Sequence, residues 1–339
     1  MLAHHGVRFQ RFPMRKSQIL IPFFLGAMSA YSASGTLLTA NQGDRTLSII
    51  DPVAAKQVAA VPEGGITGHE VAASLDGKLA YVPIYGSSGV GKAGTDGDHM
   101  VVIDIAAQKV VGKVDFGHGV RPHCPVLDPK SGLLYVTTEL DQAITIIDPK
   151  TLKIVGKVPT GQAESHMLAI TKDGTRGYTA NVGPGTVSVL DLKAKKTITV
   201  IPISSMTQRI SLSPDDSMAF TADQSKPQLA VIDTATNKVK TWVPLPGLGY
   251  GTGSTKDGRW LLVAVQKERK VAVVDLKTLK VERSIDVPAA PQEVLMRPDG
   301  KVAYVSCNAS HQVAAINLAD WSVNLIDAGK GADGLAWAH

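Results

Sequence analysis

The sequence predicts an all-β chain folded as a seven-bladed β-propeller of four-stranded blades, with the ring closed by the C-terminal strand pairing in blade 1. Three observations carry the prediction. A unit recurs along residues 37–339. Aligned on one aromatic or aliphatic position, its copies fall at Tyr81, Tyr135, Tyr178, Phe220, Leu262 and Tyr304, with steps of 54, 43, 42, 42 and 42 residues. Each copy also carries an alternating segment ending in a carboxylate or its amide: Asp51, Asp104, Asp148, Asp191, Asp233 and Asp275, with Asn317 as the variant. Finally, β-branched residues alternate with small or polar ones between turn residues, and beyond residue 35 no stretch keeps the 3.6-residue period of an amphipathic helix. A repeat of this length with four short strands cannot bury its apolar face alone, and stacking the copies around a ring lets each cover its neighbours.

Residues 1–33 stand outside the repeat and read as a secretory signal peptide. Met14-Arg-Lys16 gives a positive start, Ile19 to Met28 an apolar stretch broken by Pro22, and Ser29 to Ser34 small residues suited to cleavage after Ala30 or Ala33. Met14 is the more natural initiator, the apolar stretch is short for a bilayer span, and no Cys near the cleavage region suggests a lipid anchor. The propeller is expected over residues 35–339 as one domain. Its first blade opens at Leu38 to Asn41 without an innermost strand, whereas Gly334-Leu-Ala-Trp-Ala338 has the pattern of an innermost strand with nothing after it. Pairing the two closes the ring and removes two free sheet edges.

The repeated Asp residues fall where hairpins turn, so their carboxylates are expected to accept backbone N–H groups there. Trp242, Trp260, Trp321 and Trp337 are expected to pack between blades. Cys124 and Cys307 map to blades 3 and 7, too far apart around the ring for a disulfide. Losing the leader would remove Arg8, Arg11, Arg15 and Lys16 and no acid, lowering the formal charge from +5 to +1. The basic pI near 9.0 therefore belongs to the leader. A near-neutral working surface argues against nucleic acid as a partner, and a monomer without a membrane-spanning segment is expected.

On Tyr135-Val-Thr-Thr138, on the looser copies Ala80-Tyr-Val82, Tyr178-Thr-Ala-Asn181 and Ala303-Tyr-Val305, and on the turns Ser213-Pro-Asp215 and Arg297-Pro-Asp-Gly300, the chain resembles the YVTN-repeat seven-bladed β-propellers, a family of surface-layer and lactonase-like proteins. The resemblance covers nearly all of residues 35–339 and implies the fold. It does not imply one activity, because such propellers host binding proteins, lactonases and cofactor-carrying oxidoreductase domains. It also implies a topology in which the loops entering the innermost strands and those between second and third strands open on one face, around the mouth of a central channel.

Twelve residues before the aligned position, that topology sets one residue per blade at the mouth: His69, His123, His166, Gln208, Tyr250 and Gln292, with Ala332 in the last strand. The next column reads Glu70, Cys124, Met167, Arg209, Gly251, Glu293 and Asp333, and the entering loops add His118, Arg121 and Glu164. Six histidines, His69, His99, His118, His123, His166 and His311, map to this face. The ligand-contacting set is expected to be His69, Glu70, Arg121, His123, His166, Arg209, Tyr250 and Glu293. Three imidazoles about 51° apart on adjacent blades could ligate a divalent metal (Zn, Cu or Fe) through His69, His123 and His166, or hold an anionic or carbonyl-bearing ligand. Pro122-His123 could equally serve only the loop backbone.

The long first step of the repeat places an insertion in blade 2, at Gly86 to Asp98 over the same mouth, either a mobile lid or a solvated decoration. Within it Gly86-x-x-x-x-Gly91-Lys92 imitates a phosphate-binding loop, but Ala93 replaces the hydroxyl residue and no helix follows. The chain lacks Cys-x-x-Cys-His, Gly-x-Ser-x-Gly and paired Cys-x-x-Cys motifs. Cys124 beside His123 reads as a buried small apolar residue before it reads as a thiol nucleophile.

The expected function is a secreted or periplasmic binding protein that uses the His-rich mouth for a small ligand, a metal or a protein partner. The alternative is a lactonase-like hydrolase. In it Arg121 or Arg209 steadies a carboxylate or oxyanion while His123, Glu164 or Glu293 moves a proton. A third class, similar to the haem-binding propellers of nitrite reductases, fits least, since the chain has no separate cytochrome domain.

Overall fold

The computed structural model describes residues 1–3, 35–87 and 89–339. The expected leader and its two candidate cleavage points lie outside the described residues, apart from residues 1–3. Residues 35–339 form seven four-stranded antiparallel sheets, and the regular helical structure among the described residues is two single 3-10 turns, Glu139–Asp141 and Asn308–Ser310. In blade 3 the strands run outward from Pro122–Leu127 through Leu134–Thr138 and Ala143–Asp148 to Lys153–Pro159. Blades 2 and 4 to 7 repeat that order. The ring closes as the sequence predicts: Ala332–Ala338 is the innermost strand of blade 1 and pairs with Thr36–Asn41, with Leu37 opposite Trp337 and Leu38 opposite Ala336.

Burial explains why the strands differ in sequence. Second strands such as Arg176–Asn181 are covered on both faces by neighbouring blades and read as near-continuous apolar or small runs. Outermost strands such as Lys56–Pro62 alternate between solvent and sheet, as a half-exposed edge requires. The aligned position of the repeat lies in the interblade cores, where Tyr81, Tyr135, Tyr178, Phe220, Leu262 and Tyr304 are buried. Removing such a side chain costs about 3–5 kcal/mol through lost burial and the cavity left behind. Tryptophans join blades as expected: Trp260 of blade 6 meets Trp321 of blade 7 edge to face at 5.9 Å, and Trp337 of blade 1 stacks on Tyr304 of blade 7 at 6.0 Å.

The carboxylate series is structural. Asp51 Oδ1 accepts the N–H groups of Val53 and Ala54 at 2.8 and 3.0 Å, Asp275 Oδ1 those of Lys277 and Thr278 at 2.8 Å, and Asn317 Oδ1 that of Ala319 at 2.9 Å. Four residues after each member of the series stands a non-glycine residue in the left-handed region: Ala55, Gln108, Leu152, Lys195, Asn237, Leu279 and Trp321. Each conformation costs on the order of 1 kcal/mol, and the carboxylate-held turn maintains it. Cys124 and Cys307 are both buried and unpaired, as their blade positions predict. No helix among the described residues is long and apolar enough to cross a membrane.

Closure by the last strand gives the first prediction. A chain ending before Ala332 exposes the whole edge of Thr36–Asn41. It is expected to aggregate or to melt more than about 10 °C lower, read by circular dichroism and size-exclusion chromatography; an unchanged melt and monomer peak would contradict the closure.

Candidate ligand site at the channel mouth

The mouth columns are presented by backbone irregularities. In blade 3 regular pairing holds at Pro122–Thr138 and resumes at Pro125–Val136, so His123 and Cys124 together oppose Thr137. The same shift sets Tyr250 and Gly251 in blade 6, Gln292 and Glu293 in blade 7, and His166 in blade 4. A bulge re-aims side chains and leaves an amide without a ladder partner. Hydroxyls of the second strand satisfy it: Thr137 Oγ1 accepts the Cys124 N–H at 2.8 Å and donates to the His166 carbonyl of the next blade at 2.9 Å, while Ser306 Oγ accepts the Glu293 N–H at 3.0 Å. Gly251 is required by this crowding, since a Cβ there would lie 1.9 Å from the Gln292 carbonyl oxygen.

Blades 2 to 4 bring His69, His123 and His166 together, as their shared offset predicts. His123 and His166 stack with ring centroids 3.6 Å apart, and His69 meets the edge of His123 at 5.3 Å. His123 and His166 are buried, His69 half-buried. The sequence reading missed two partners. Tyr85 stacks on His69 at 4.7 Å and donates its hydroxyl to Glu139 Oε2 at 2.8 Å, and the other Glu139 oxygen takes the Nδ1–H of His166. Nε2 of His166 is approached by the Gln208 amide at 3.4 Å. Burial, then His166 and Arg209, pull His69 down to about 3, and burial holds His123 well below the usual imidazole range. Both are therefore neutral at physiological pH. Among the described residues no three His, Cys, Asp or Glu side chains stand as a ready metal-ligand set.

The second column is gathered around one side chain. Arg209 reaches across the axis from blade 5. Its Nη2 lies 2.7 Å from Glu70 Oε1 of blade 2 and 2.8 Å from Asp333 Oδ1 of blade 1, and its Nη1 lies 3.9 Å from Glu293 Oε2 of blade 7. The guanidinium sits over the Tyr250 ring at 5.1 Å. Gln42 donates to the other Asp333 oxygen, and the Leu335 N–H donates to Glu293 at 2.5 Å. Burial raises all three acids against the pull of Arg209: Glu70 to about 8, Asp333 to about 7, and Glu293 in the same direction. The cluster thus keeps protons at neutral pH, since three buried negative charges around one cation would be poorly compensated. Burial also pushes the Cys124 thiol up, so it is no thiolate nucleophile.

Other predicted residues stand on the rim. Arg121 Nε donates to Asp96 Oδ1 at 2.6 Å and its Nη2 to the Lys92 carbonyl at 2.8 Å, so Arg121 pins the Gly86 to Asp98 insertion. Glu164 accepts the Gly183 N–H at 2.7 Å, and a Cβ on Gly91 would lie 2.8 Å from its Oε1, so the blade 2 insertion reaches as far as blade 4. His99 and His118 bond to Asp98 and Asp141 at 2.6 and 2.8 Å, and His311 accepts the Gly331 N–H at 3.2 Å. The missed residues had a signal: Gln42, Tyr85 and Glu139 each lie four residues beyond Leu38, Tyr81 and Tyr135, a third column facing the mouth.

These features define a seven-bladed β-propeller with a polar, largely buried site at one end of its channel. No family model matches the chain, and no curated protein matches it. Among solved structures it is similar to hydrazine synthase from Kuenenia stuttgartiensis, at 20% identity and a TM-score of 0.72 over 84% of this chain and 93% of that one. It is also similar to a functionally unknown protein from Desulfotomaculum acetoxidans DSM 771, at 15% identity and a TM-score of 0.75 over 90% and 99%. A third likeness is to dihydro-heme d1 dehydrogenase NirN in complex with DHE, at 14% identity and a TM-score of 0.64 over 89% and 75%. At these identities the likenesses show the fold alone.

Two predictions follow from the bulges and the buried charges. Thr137→Val removes both hydroxyl bonds at the His123 bulge and is expected to cost about 1–3 kcal/mol in denaturant unfolding; an unchanged midpoint would contradict the bridging role. Acids raised in the fold contribute stability that is complete below their unfolded range and lost as pH rises through 7 to 8, whereas imidazoles lowered in the fold contribute stability that is complete above about 6.5. The melting temperature is therefore expected to fall between pH 6.5 and 8.5, and to fall less in Asp333→Asn, as read by differential scanning calorimetry.

Proposed function

We propose that the chain is a secreted or periplasmic binding protein of the YVTN-repeat kind that holds a small polar ligand in the cup between the imidazoles of blades 2 to 4 and the Arg209 cluster. One observation carries this reading. His123 Nδ1, Arg209 Nε, Arg209 Nη1 and Glu70 Oε1 are buried without a hydrogen bond of good geometry, and they belong to one cluster at the channel mouth. Leaving such groups unmet costs about 1–3 kcal/mol each, and more for charged ones, so a site that collects them is suited to a ligand that meets them. The insertion pinned beside the rings by Arg121 supports the same reading, because it narrows access to the mouth. The composition of residues 1–33 supports export.

The Tyr85–Glu139–His166 chain favours a second reading, lactonase-like hydrolysis. A carboxylate on Nδ1 orients the ring and turns Nε2 toward the mouth, the arrangement a proton-transferring histidine needs. Arg121 and Arg209 are weaker oxyanion donors than the sequence suggests, because Arg121 is spent on the insertion and Arg209 shares its charge with three acids.

Titrating a library of small polar solutes and lactones into the 15N-labelled protein tests both. The binding reading expects saturable shifts of the His69, His123 and His166 ring signals with no turnover, reduced at least about tenfold in affinity by His123→Phe. Lactone turnover lost in His166→Phe but kept in His123→Phe would replace it with the hydrolase. Ring signals indifferent to every solute would remove both.

A further inference from the structure

The arrangement around Arg209 says what kind of ligand the cup takes. The acids are gathered on one nitrogen: Glu70 and Asp333 both approach Nη2, and Glu293 stands off at 3.9 Å from Nη1. Nε and Nη1 keep no hydrogen-bond acceptor although the side chain is 4% exposed. N–H groups on a buried cation call for oxygen acceptors, and a negative charge meets them best. The His69 and His123 imidazoles are held neutral, by burial first and then by the charges around them, so they bring no cation of their own. A carboxylate or oxyanion meets both the unpartnered N–H groups and the guanidinium charge, whereas an uncharged ligand meets only the N–H groups and a cation meets neither.

We infer that the cup binds a small oxygen-bearing anion, a carboxylate or an inorganic oxyanion, seated on the unpartnered nitrogens of Arg209 with the neutral imidazoles of His123 and His69 alongside. This rests on the binding reading above and names its ligand class. Glu70, Glu293 and Asp333 set the charge of the site, since together they keep the guanidinium buried while leaving two of its nitrogens unmet. The Tyr250 ring lies against one face of the guanidinium and limits approach from that side.

The test reads the arginine directly. In the full-length protein carrying 15N-labelled arginine, the Nε–H signal of Arg209 is identified by its loss in Arg209→Lys. Formate, acetate, inorganic phosphate, formamide and methylammonium are then titrated separately at constant ionic strength. The expected result is a saturable shift of that signal with formate or acetate, or with phosphate, and none with formamide or methylammonium. Binding in the Arg209→Lys protein, followed on the His123 ring signal, is expected to be at least about tenfold weaker. Carboxylate but not phosphate binding assigns a carboxylate, and the reverse assigns an inorganic oxyanion.

Formamide or methylammonium shifting the signal as strongly as the anions would overturn the inference while leaving the cup a binding site. So would anions that shift only exposed arginines while an uncharged solute moves the ring signals. Indifference of both the Arg209 and the ring signals to all five probes and to the wider solute library would remove the binding reading itself. If Arg209→Lys fails to fold, His123→Phe serves as the weakened variant, with the wild-type Nε–H signal identified by its slow hydrogen exchange.

Discussion

The geometry of the channel mouth depends on the bulge that begins five of the innermost strands, with short two-residue strands, Ala72–Ala73 and Ser211–Leu212, in the other two blades. Regular pairing alternates side chains between the faces of a blade, which in a propeller face the neighbouring blades and not the axis. Setting two consecutive residues opposite one breaks the alternation and turns both toward the channel. His123 with Cys124, Tyr250 with Gly251 and Gln292 with Glu293 are presented this way. The cost is an amide without a ladder partner, and the second strand offsets it with a hydroxyl: Thr137 for Cys124, Ser306 for Glu293. Because Thr137 also bonds the carbonyl of His166 in the next blade, the device that opens one bulge fixes the angle to its neighbour.

Stability and function occupy different parts of this scaffold. The interblade cores are apolar clusters repeated around the ring. The channel holds a guanidinium, four acids, three imidazoles and two phenols, most of them at low exposure. Replacing a buried ion cluster by apolar side chains of similar volume is often neutral or stabilising, so Arg209 and its acids are not what the fold requires to stand. Sites that violate the rules of good packing and are held by well-packed surroundings are where function is expected.

The fold was legible in the sequence because a period near 42 residues is a global constraint that single substitutions do not erase. The aligned aromatics, the turn carboxylates and the closing strand all follow from it, and Asn317 shows how little the variant matters: its amide oxygen accepts the same turn N–H that the carboxylates accept elsewhere. The mouth column was legible for the same reason, since a fixed offset in a repeat is a fixed place around the axis. Glu139 and Tyr85 were not read, because their column reads Gln, Tyr, Glu, Val, Gln, Gln and Asn around the ring, and no run of one chemistry marks it. The Arg209 cluster was legible only as separate residues. Glu70 and Asp333 lie 139 and 124 positions from Arg209, and only closure of the ring brings them within 3 Å of one nitrogen. The insertion was seen, but its reach to Glu164 depends on Arg121, whose two bonds to Asp96 and Lys92 bend the loop across blade 3.

Near-equivalence of the blades has a chemical consequence. When seven backbone segments are set at matching places around one axis, geometry offers each blade the same approach to the centre, and only side-chain identity distinguishes them. The offset twelve residues before the core aromatic reads His, His, His, Gln, Tyr, Gln and Ala, and its neighbour reads Glu, Cys, Met, Arg, Gly, Glu and Asp. One side of the cup is therefore aromatic, oriented by a single glutamate. The other is an ion cluster organised by a single arginine. A symmetric scaffold has no packing reason to divide its centre in this way, and a ligand with an acceptor-rich end and an apolar or hydrogen-bonding end has every reason to find it divided.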